Sequence, residues 1–235
     1  MDLSLIIPAY NEAERLVSTL SSAIAFFDSR SWSYEIIVVD DGSTDGMGAL
    51  VDDFARRFPQ VRPLHNESNR GKGFSIRVGV SQGSGEVVGF IDADDKTDLA
   101  ALDGAMAHLR QGCDGIIGDR TLANSDIAIP RRRYRQWGSN LFRWLMRRSV
   151  GLGAFPDTQC GFKFFRAEVA RDLFQRQQID GYMFDVEILL LAARSGYEIK
   201  RLPVRWRDDP DSRFNPVSGG LRNARELMRI RRMHR

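Results

Sequence analysis

The run Val87-Val88-Gly89-Phe90-Ile91 ends abruptly in Asp92-Ala93-Asp94. A short apolar run closed by carboxylates reads as a strand covered on both faces, its carboxyl end opening into water. Working back towards the N-terminus, the turn Asn69-Arg70-Gly71-Lys72 precedes a helical pattern from about Gly73 to Gln82, and Val61 to Leu64 reads as a strand. Before these lie a helix over about Met47 to Phe58, with Ser43, Thr44 or Asp45 as its cap, and a strand Ile36 to Val39 closed by Asp40-Asp41-Gly42. A helix over Ala13 to Phe27 follows a first strand, Leu3 to Pro8. Apolar strands alternating with amphipathic helices predict an α/β fold with a mostly parallel central sheet flanked by helices.

Downstream, Gly115 to Gly118 reads as a further strand, ending at Asp119-Arg120. Tyr134 to Val150 places Trp137, Leu141 and Trp144-Leu145 among arginines, the pattern of an amphipathic helix at a membrane interface or packed on a core. Asp185 to Ala193 reads as a helix, Glu198 to Trp206 as an extended strand, and the chain closes on an Arg-rich helix. The expected organisation is one catalytic domain over 1–210 and an Arg-rich helical extension over 211–235.

Composition narrows the chemistry. The chain has 235 residues, 43% hydrophobic and 28% charged, enough to bury a core without disulfides. Cys113 and Cys160 have neither disulfide nor metal spacing, and Cys160 has no His to make it a nucleophile. His65, His108 and His234 are scattered, which disfavours zinc hydrolysis and Ser-His-Asp catalysis. The longest purely apolar stretch, Ile188 to Ala193, is far below the ~20 residues of a membrane span. With no room for a signal peptide before Leu3, the expectation is a cytoplasmic protein, peripheral on the inner face of a membrane. Net charge is +3, with arginine concentrated in Arg131 to Arg148 and Arg222 to Arg235. Such clusters suit phosphates or anionic lipid; the acidic strand ends would repel a nucleic-acid backbone.

Ligands of open α/β sheets bind beyond the carboxyl ends of the strands. There the sequence puts Tyr10-Asn11-Glu12, Asp40-Asp41 and Asp92-Ala93-Asp94-Asp95. Two carboxylates spaced i, i+2 at a strand end suit a hard divalent cation, Mg2+ or Mn2+, bridging to a diphosphate. A strand-end carboxylate such as Asp40 suits the imide N–H of a nucleobase, and Gly42 permits a tight turn. Asp41 reads equally as an Asx turn. Gly71-x-Gly73 lacks the remaining parts of a dinucleotide fingerprint.

The ordered set Ile6-Ile7-Pro8-Ala9-Tyr10-Asn11-Glu12, Val38-Val39-Asp40-Asp41-Gly42-Ser43-Thr44-Asp45-Gly46, Asn69-Arg70-Gly71-Lys72-Gly73 and Asp92-Ala93-Asp94 resembles the family 2 glycosyltransferases. That resemblance implies the GT-A fold and inversion at the anomeric carbon. Asp92-Ala93-Asp94-Asp95-Lys96-Thr97, Asp157-Thr158-Gln159-Cys160-Gly161-Phe162-Lys163, Phe184-Asp185-Val186-Glu187 and Leu202-Pro203-Val204-Arg205-Trp206 are similar to the dolichyl-phosphate β-glucosyltransferase branch. The implied reaction is transfer of glucose from UDP-glucose to a polyprenyl phosphate, with a GDP-mannose-dependent enzyme or a soluble enzyme acting on a saccharide alcohol as alternatives.

Carried over by position, Pro8, Tyr10, Glu12 and Asp40 surround the nucleoside, while Lys72 and Ala93 belong to the donor site. Asp92 and Asp94 are implied by the resemblance to hold the metal and the diphosphate. Arg120 lies near the phosphates, and with Arg132, Arg133 and Arg207 it is implied for the acceptor phosphate. Asp157 either orients the acceptor or neighbouring arginines, or shapes a turn. Lys96 stands where the mannosyl branch often has a metal-contacting Gln. A phosphate acceptor, with a second pKa of ~6, is already largely ionised near neutrality and needs no strong base. QxxRW, the signature of processive relatives, has the wrong spacing at Gln136 and Arg143-Trp144.

Overall fold

The computed structural model describes residues 1–125, 152–206 and 216–234. Strands and helices alternate as β1 (Leu3–Ala9), α1 (Ala13–Asp28), β2 (Tyr34–Asp40), α2 (Met47–Arg57), β3 (Val61–His65), α3 (Lys72–Gln82) and β4 (Val87–Ile91). Next come α4 (Ala101–Arg110), β5 (Gly115–Gly118), β6 (Phe162–Arg166), α5 (Ala167–Arg176), α6 (Phe184–Ser195), β7 (Ile199–Leu202) and α7 (Pro216–Met233). The strands form one seven-stranded sheet in the order β3-β2-β1-β4-β6-β5-β7. All neighbours are parallel except β6, which runs antiparallel to both β4 and β5.

The period-2 geometry of a strand sorts the core into two layers. Leu3, Leu5, Ile7, Ile36, Val38 and Ile91 pack with Leu16, Leu20 and Phe27 of α1, Met47 and Val51 of α2, and Leu102 and Met106 of α4. Ile6, Ile37, Val39, Val88 and Phe90 point the other way, against α3, α5, α6 and Leu227 and Ile230 of α7. Both faces of the sheet are therefore covered, which explains why β1, β2 and β4 are almost wholly apolar.

Several elements fall outside the sequence expectation. The helices α4 and α5 and the strand β6 are additional, and β7 is shorter than the run Glu198 to Trp206. Pro203 follows Leu202 and has no N–H for the ladder. Beyond it, among the described residues, strand-like pairing is limited to an isolated bridge, Thr97 to Trp206. The expected helix over Tyr134 to Val150 lies outside the described residues.

One buried charge anchors the amino-terminal edge of the sheet. Glu35 accepts hydrogen bonds from the hydroxyls of Ser4 (2.7 Å) and Ser84 (2.7 Å), from the Ser84 N–H (2.8 Å) and from Arg62 (2.5 Å). Burial pushes its carboxyl up, but these donors more than reverse that, bringing it from 4.5 down to about 2. A carboxyl lowered on folding stabilises the protein above its unfolded pKa and loses that contribution as pH falls from about 4.5 towards 2. At neutral pH a shift of this size corresponds to at most about 3 kcal/mol. Glu35→Gln is expected to lower the melting temperature at pH 7, with the deficit fading below pH ~3 as the wild type loses the same interaction. A deficit independent of pH would contradict this account of Glu35.

Candidate active site at the carboxyl edge of the sheet

Pairing between β1 and β4 runs from Leu3↔Val87 to Ile6↔Phe90 and stops two residues before Pro8. Pro8 still pairs with Val39 of β2. The sheet therefore parts beyond β1 and β4, where the strand order also reverses direction, the place at which α/β sheets hold ligands. Tyr10 follows with 44% of its surface exposed, and Asn11 takes a positive φ of 53°.

The first loops at this edge are tied together. The Asn11 N–H donates to Ser43 Oγ (2.9 Å), and Asn11 Oδ1 accepts from the Thr44 N–H (2.8 Å). Asp45 takes N–H groups at the start of two helices, Ala13 of α1 (3.0 Å) and Met47 of α2 (3.1 Å). Of the three residues expected to cap α2, it is Asp45 that accepts from the first turn. Glu12 lies at the N-cap position of α1 and forms an ion pair with Arg15.

Asp40 and Asp41 have separate tasks. Asp40 is 6% exposed; it accepts from the Ser43 N–H (2.9 Å) and faces His65 Nδ1 (3.3 Å). Asp41 is turned to the loop before α3, taking the side chain of Asn66 (2.8 Å) and the N–H groups of Arg70 (3.0 Å) and Gly71 (2.8 Å). It is thus a clamp on the Asn69-to-Lys72 turn rather than a cap on the following helix. Gly42, at φ +75°, sits so close to Ser68 that a Cβ would meet its backbone at 2.7 Å.

That clamp sets Lys72 at the start of α3, with Nζ 2.5 Å from Asp92 Oδ1. Asp92 lies just beyond β4, and its N–H points to Gly161 O (3.3 Å). A Cβ at position 161 would fall 2.0 Å from the Asp92 carboxylate, so glycine there makes room for it. Burial pushes the Asp92 carboxyl up, yet the charges of Lys72, Lys163 and Arg120 hold it below the usual range. Lys72, whose burial alone would favour deprotonation, is kept protonated by Asp92 and Asp185.

Asp94 is placed differently. Its Oδ2 meets Lys96 Nζ at 2.7 Å, while Oδ1 is buried with no hydrogen-bond partner among the described residues. The turn that delivers it is fixed by Thr19 Oγ1, which donates to Ala93 O (2.8 Å), and by the positive φ of Asp95 (52°). A buried carboxylate oxygen without a donor is costly unless a cation or donor arrives. Among the described residues no three His, Cys, Asp or Glu side chains are grouped to hold a metal. At this edge Asp92 and Asp94 are carboxylates of the chemistry that a hard divalent cation prefers.

Two further buried pairs complete the edge. Arg120, after β5, donates to Asp157 through Nε (2.7 Å), Nη2 (2.8 Å) and its backbone N–H (3.0 Å), and its guanidinium lies 5.1 Å from the Trp206 ring centroid. A bidentate fork of this kind fixes the guanidinium plane. Burial pushes Asp157 up, but the Arg120 bonds bring it below the ordinary carboxylate range. Of the two roles open for Asp157, orienting a neighbouring arginine is the one its contacts match. Lys163, wholly buried in β6, donates to Asp185 Oδ1 (2.5 Å) and Cys160 O (2.8 Å). Burial pushes the Cys160 thiol up to about 12, which leaves it no thiolate character at neutral pH.

The structure therefore brings Asp92, Asp94, Lys72, Arg120 and Asp157 to the same edge as Tyr10, Glu12 and Asp40. Arg132, Arg133 and Arg207 lie outside the described residues. Lys163 and Asp185 are the members that motif reading assigned no role; a lysine interrupting Phe162-Lys163-Phe164-Phe165 is the signal that marks them. His65 also reaches this edge, its Nε2 3.1 Å from Asp52. Burial pushes its pKa down, but the hydrogen bonds and charges of Asp52 and Asp40 outweigh this and raise it above the ordinary imidazole value.

Comparison with known proteins fits this geometry. Residues 4–174 match the profile described as Glycosyl transferase family 2. Dolichyl-phosphate beta-glucosyltransferase of Dictyostelium discoideum is 35% identical over 97% of this chain and 73% of its own length. The Drosophila melanogaster enzyme of that name is 34% identical, covering 98% and 74%, and that of Saccharomyces cerevisiae 31%, covering 97% and 74%. Among solved structures, glucosyl-3-phosphoglycerate synthase from Mycobacterium tuberculosis, in complex with Mn2+, UDP and glucosyl-3-phosphoglycerate, superposes with a TM-score of 0.72 at 20% identity, covering 97% of this chain and 78% of that one. S. aureus TarS 1–349 in complex with UDP-GlcNAc gives 0.60 at 19% identity, covering 98% and 65%.

Proposed function

The chain belongs to glycosyl transferase family 2, and on that premise we propose that it transfers glucose from UDP-glucose to a polyprenyl or dolichyl monophosphate, with inversion, at a membrane surface. The observation that carries this reading is that one sheet edge holds both a buried carboxylate oxygen, Asp94 Oδ1, without a hydrogen-bond partner among the described residues, and an arginine, Arg120, pre-oriented by Asp157. Such a site suits two phosphorylated substrates and supplies electrostatics rather than a base. The curated relatives, each named for dolichyl phosphate and glucose, support the choice of sugar and acceptor.

In this reading Pro8, Tyr10, Glu12 and Asp40 line the nucleoside end of the donor. Asp40 still has lone pairs for a base N–H beside its bonds to Ser43 and His65. Lys72 and Ala93 lie by the diphosphate. Asp92 and Asp94 would hold a divalent cation, Mg2+ or Mn2+, which when bound neutralises charge on the diphosphate. Arg120, held by Asp157, draws the two anions together, with Arg132, Arg133 and Arg207 assigned to the acceptor phosphate. An acceptor phosphate oxygen attacks the anomeric carbon in line as the bond from that carbon to the β-phosphate oxygen breaks. The bonding pair leaves with UDP, so no proton need be taken from the acceptor.

The outer face of α7 supports association with the inner face of a membrane. Asn223, Leu227 and Ile230 are turned to the core, leaving Arg222, Arg225, Arg229 and Arg232 exposed around Met228, itself 64% exposed. Cations flanking an apolar side chain suit an anionic lipid surface. Among the described residues no helix is long and apolar enough to cross a bilayer. The direct test is a donor panel with polyprenyl phosphate as acceptor and Mg2+ or Mn2+ present. UDP-glucose should be turned over in a lipid-dependent manner and GDP-mannose far more slowly; preference for GDP-mannose would overturn the sugar assignment.

A further inference from the structure

Both carboxylates of Asp92-Ala93-Asp94 already have a lysine counter-ion. Lys72 sits on Asp92 at 2.5 Å and Lys96 on Asp94 at 2.7 Å. The two lysines arrive by different routes. Lys72 is held from the start of α3 by the Asp41 clamp, whereas Lys96 follows the positive-φ turn at Asp95 and is only 15% exposed. A divalent cation approaching Asp94 Oδ1 would meet a carboxylate whose other oxygen is neutralised by an ammonium in direct contact. Like charges this close oppose one another strongly at a partly buried site. A nucleoside diphosphate reverses the balance by adding negative charge on the far side of the cation.

We propose that Lys96 is a specificity-determining residue that makes divalent-cation binding conditional on the nucleotide. It suppresses binding to the free protein, so that metal and donor enter together. The proposal rests on the donor-site reading given above. The same oxygen that Lys96 leaves alone, Oδ1, is the buried one without a hydrogen-bond partner among the described residues, so the site retains a place for the cation while the ammonium on Oδ2 opposes it. By linkage, the factor by which UDP strengthens metal binding equals the factor by which metal strengthens UDP binding. Removing the Lys96 charge should shrink both factors together.

The experiment is a titration of the full chain with Mn2+ followed by the electron paramagnetic resonance signal of the free ion, with and without UDP. For the wild type, UDP is expected to tighten Mn2+ binding by about tenfold or more, within the usual range of coupling between sites. Lys96→Met should bind Mn2+ without UDP about tenfold more tightly than the wild type and gain correspondingly less from UDP. Lys96→Arg, which keeps the charge, should behave as the wild type, and matched circular dichroism would show that all variants are folded. If Lys96→Met binds Mn2+ as weakly as the wild type while UDP still promotes binding in both, the role of Lys96 is overturned and the donor site stands. If Mn2+ binds neither protein even with UDP, and Asp94→Asn changes nothing, the donor-site reading falls and this proposal with it.

Discussion

Asp94→Asn is expected to lower turnover by roughly 10³-fold, the scale seen when one preorganised electrostatic partner of a developing charge is removed. The melting temperature should barely move. The substitution keeps the shape of the side chain and removes the charge from a carboxylate whose buried Oδ1 has no hydrogen-bond partner among the described residues. What it removes is the negative charge opposite the donor diphosphate, and only the reaction depends on that. The amide oxygen can still accept from Lys96, which limits the cost of losing the ion pair. Full activity in Asp94→Asn would remove this residue from the site. Equal loss of activity and folding would make it structural.

The second large effect concerns stability. Lys163→Met should destabilise the fold by about 3–5 kcal/mol, the cost of stripping one partner from a buried pair. Lys163 is wholly buried and Asp185 is 3% exposed. Burial holds the Asp185 carboxyl above its ordinary range even with Lys163 and Lys72 beside it. Without Lys163 it must rise further. A carboxyl whose folded pKa exceeds its unfolded pKa binds more protons in the native state, so stability falls as pH rises above the unfolded value. The Lys163→Met deficit should therefore be smallest near pH 4 and grow towards neutrality. Adding Asp185→Leu should recover most of it, because a buried ion pair can be replaced by apolar groups at little cost. A pH-independent loss below 1 kcal/mol would show that the pair is not what holds β6 against α6.

These two residues also mark where sequence reading reaches and where it stops. The alternation of β1 to β4 with α1 to α3 was legible because strands buried on both faces must be apolar and their helices amphipathic. The carboxyl-edge clusters were legible for the same reason, since Asp40 and Asp92 end apolar runs. The antiparallel insertion of β6 was not. Its lysine breaks the apolar run Phe162-Lys163-Phe164-Phe165, and its position between β4 and β5 depends on a long connection rather than local pattern. The period of α4 through Leu102, Ala105-Met106 and Leu109 is plain in the sequence, as is that of α5 through Val169-Ala170 and Leu173-Phe174. Neither is among the helices expected from the sequence; their burial shows that both are packed in the core.

Pairing within the site was the least legible part. Motifs name Asp92, Asp94 and Lys72, but which cation meets which carboxylate is fixed by geometry that no spacing encodes. The positive φ at Asp95 turns Lys96 onto Asp94, and the Asp41 clamp turns Lys72 onto Asp92. That both oxygens of Asp157 meet Arg120 likewise follows from the fold and from no spacing in the sequence.

The most direct test of the account is to supply the full chain with UDP-glucose, polyprenyl phosphate in detergent or vesicles, and Mg2+ or Mn2+, and to analyse the lipid product by nuclear magnetic resonance. The expected product is a glucosyl phosphate ester of the lipid with β configuration at the anomeric carbon, formed with one UDP per glucose. Glucose transferred only to a soluble hydroxyl acceptor, UDP released without lipid, or an α-linked product would contradict it.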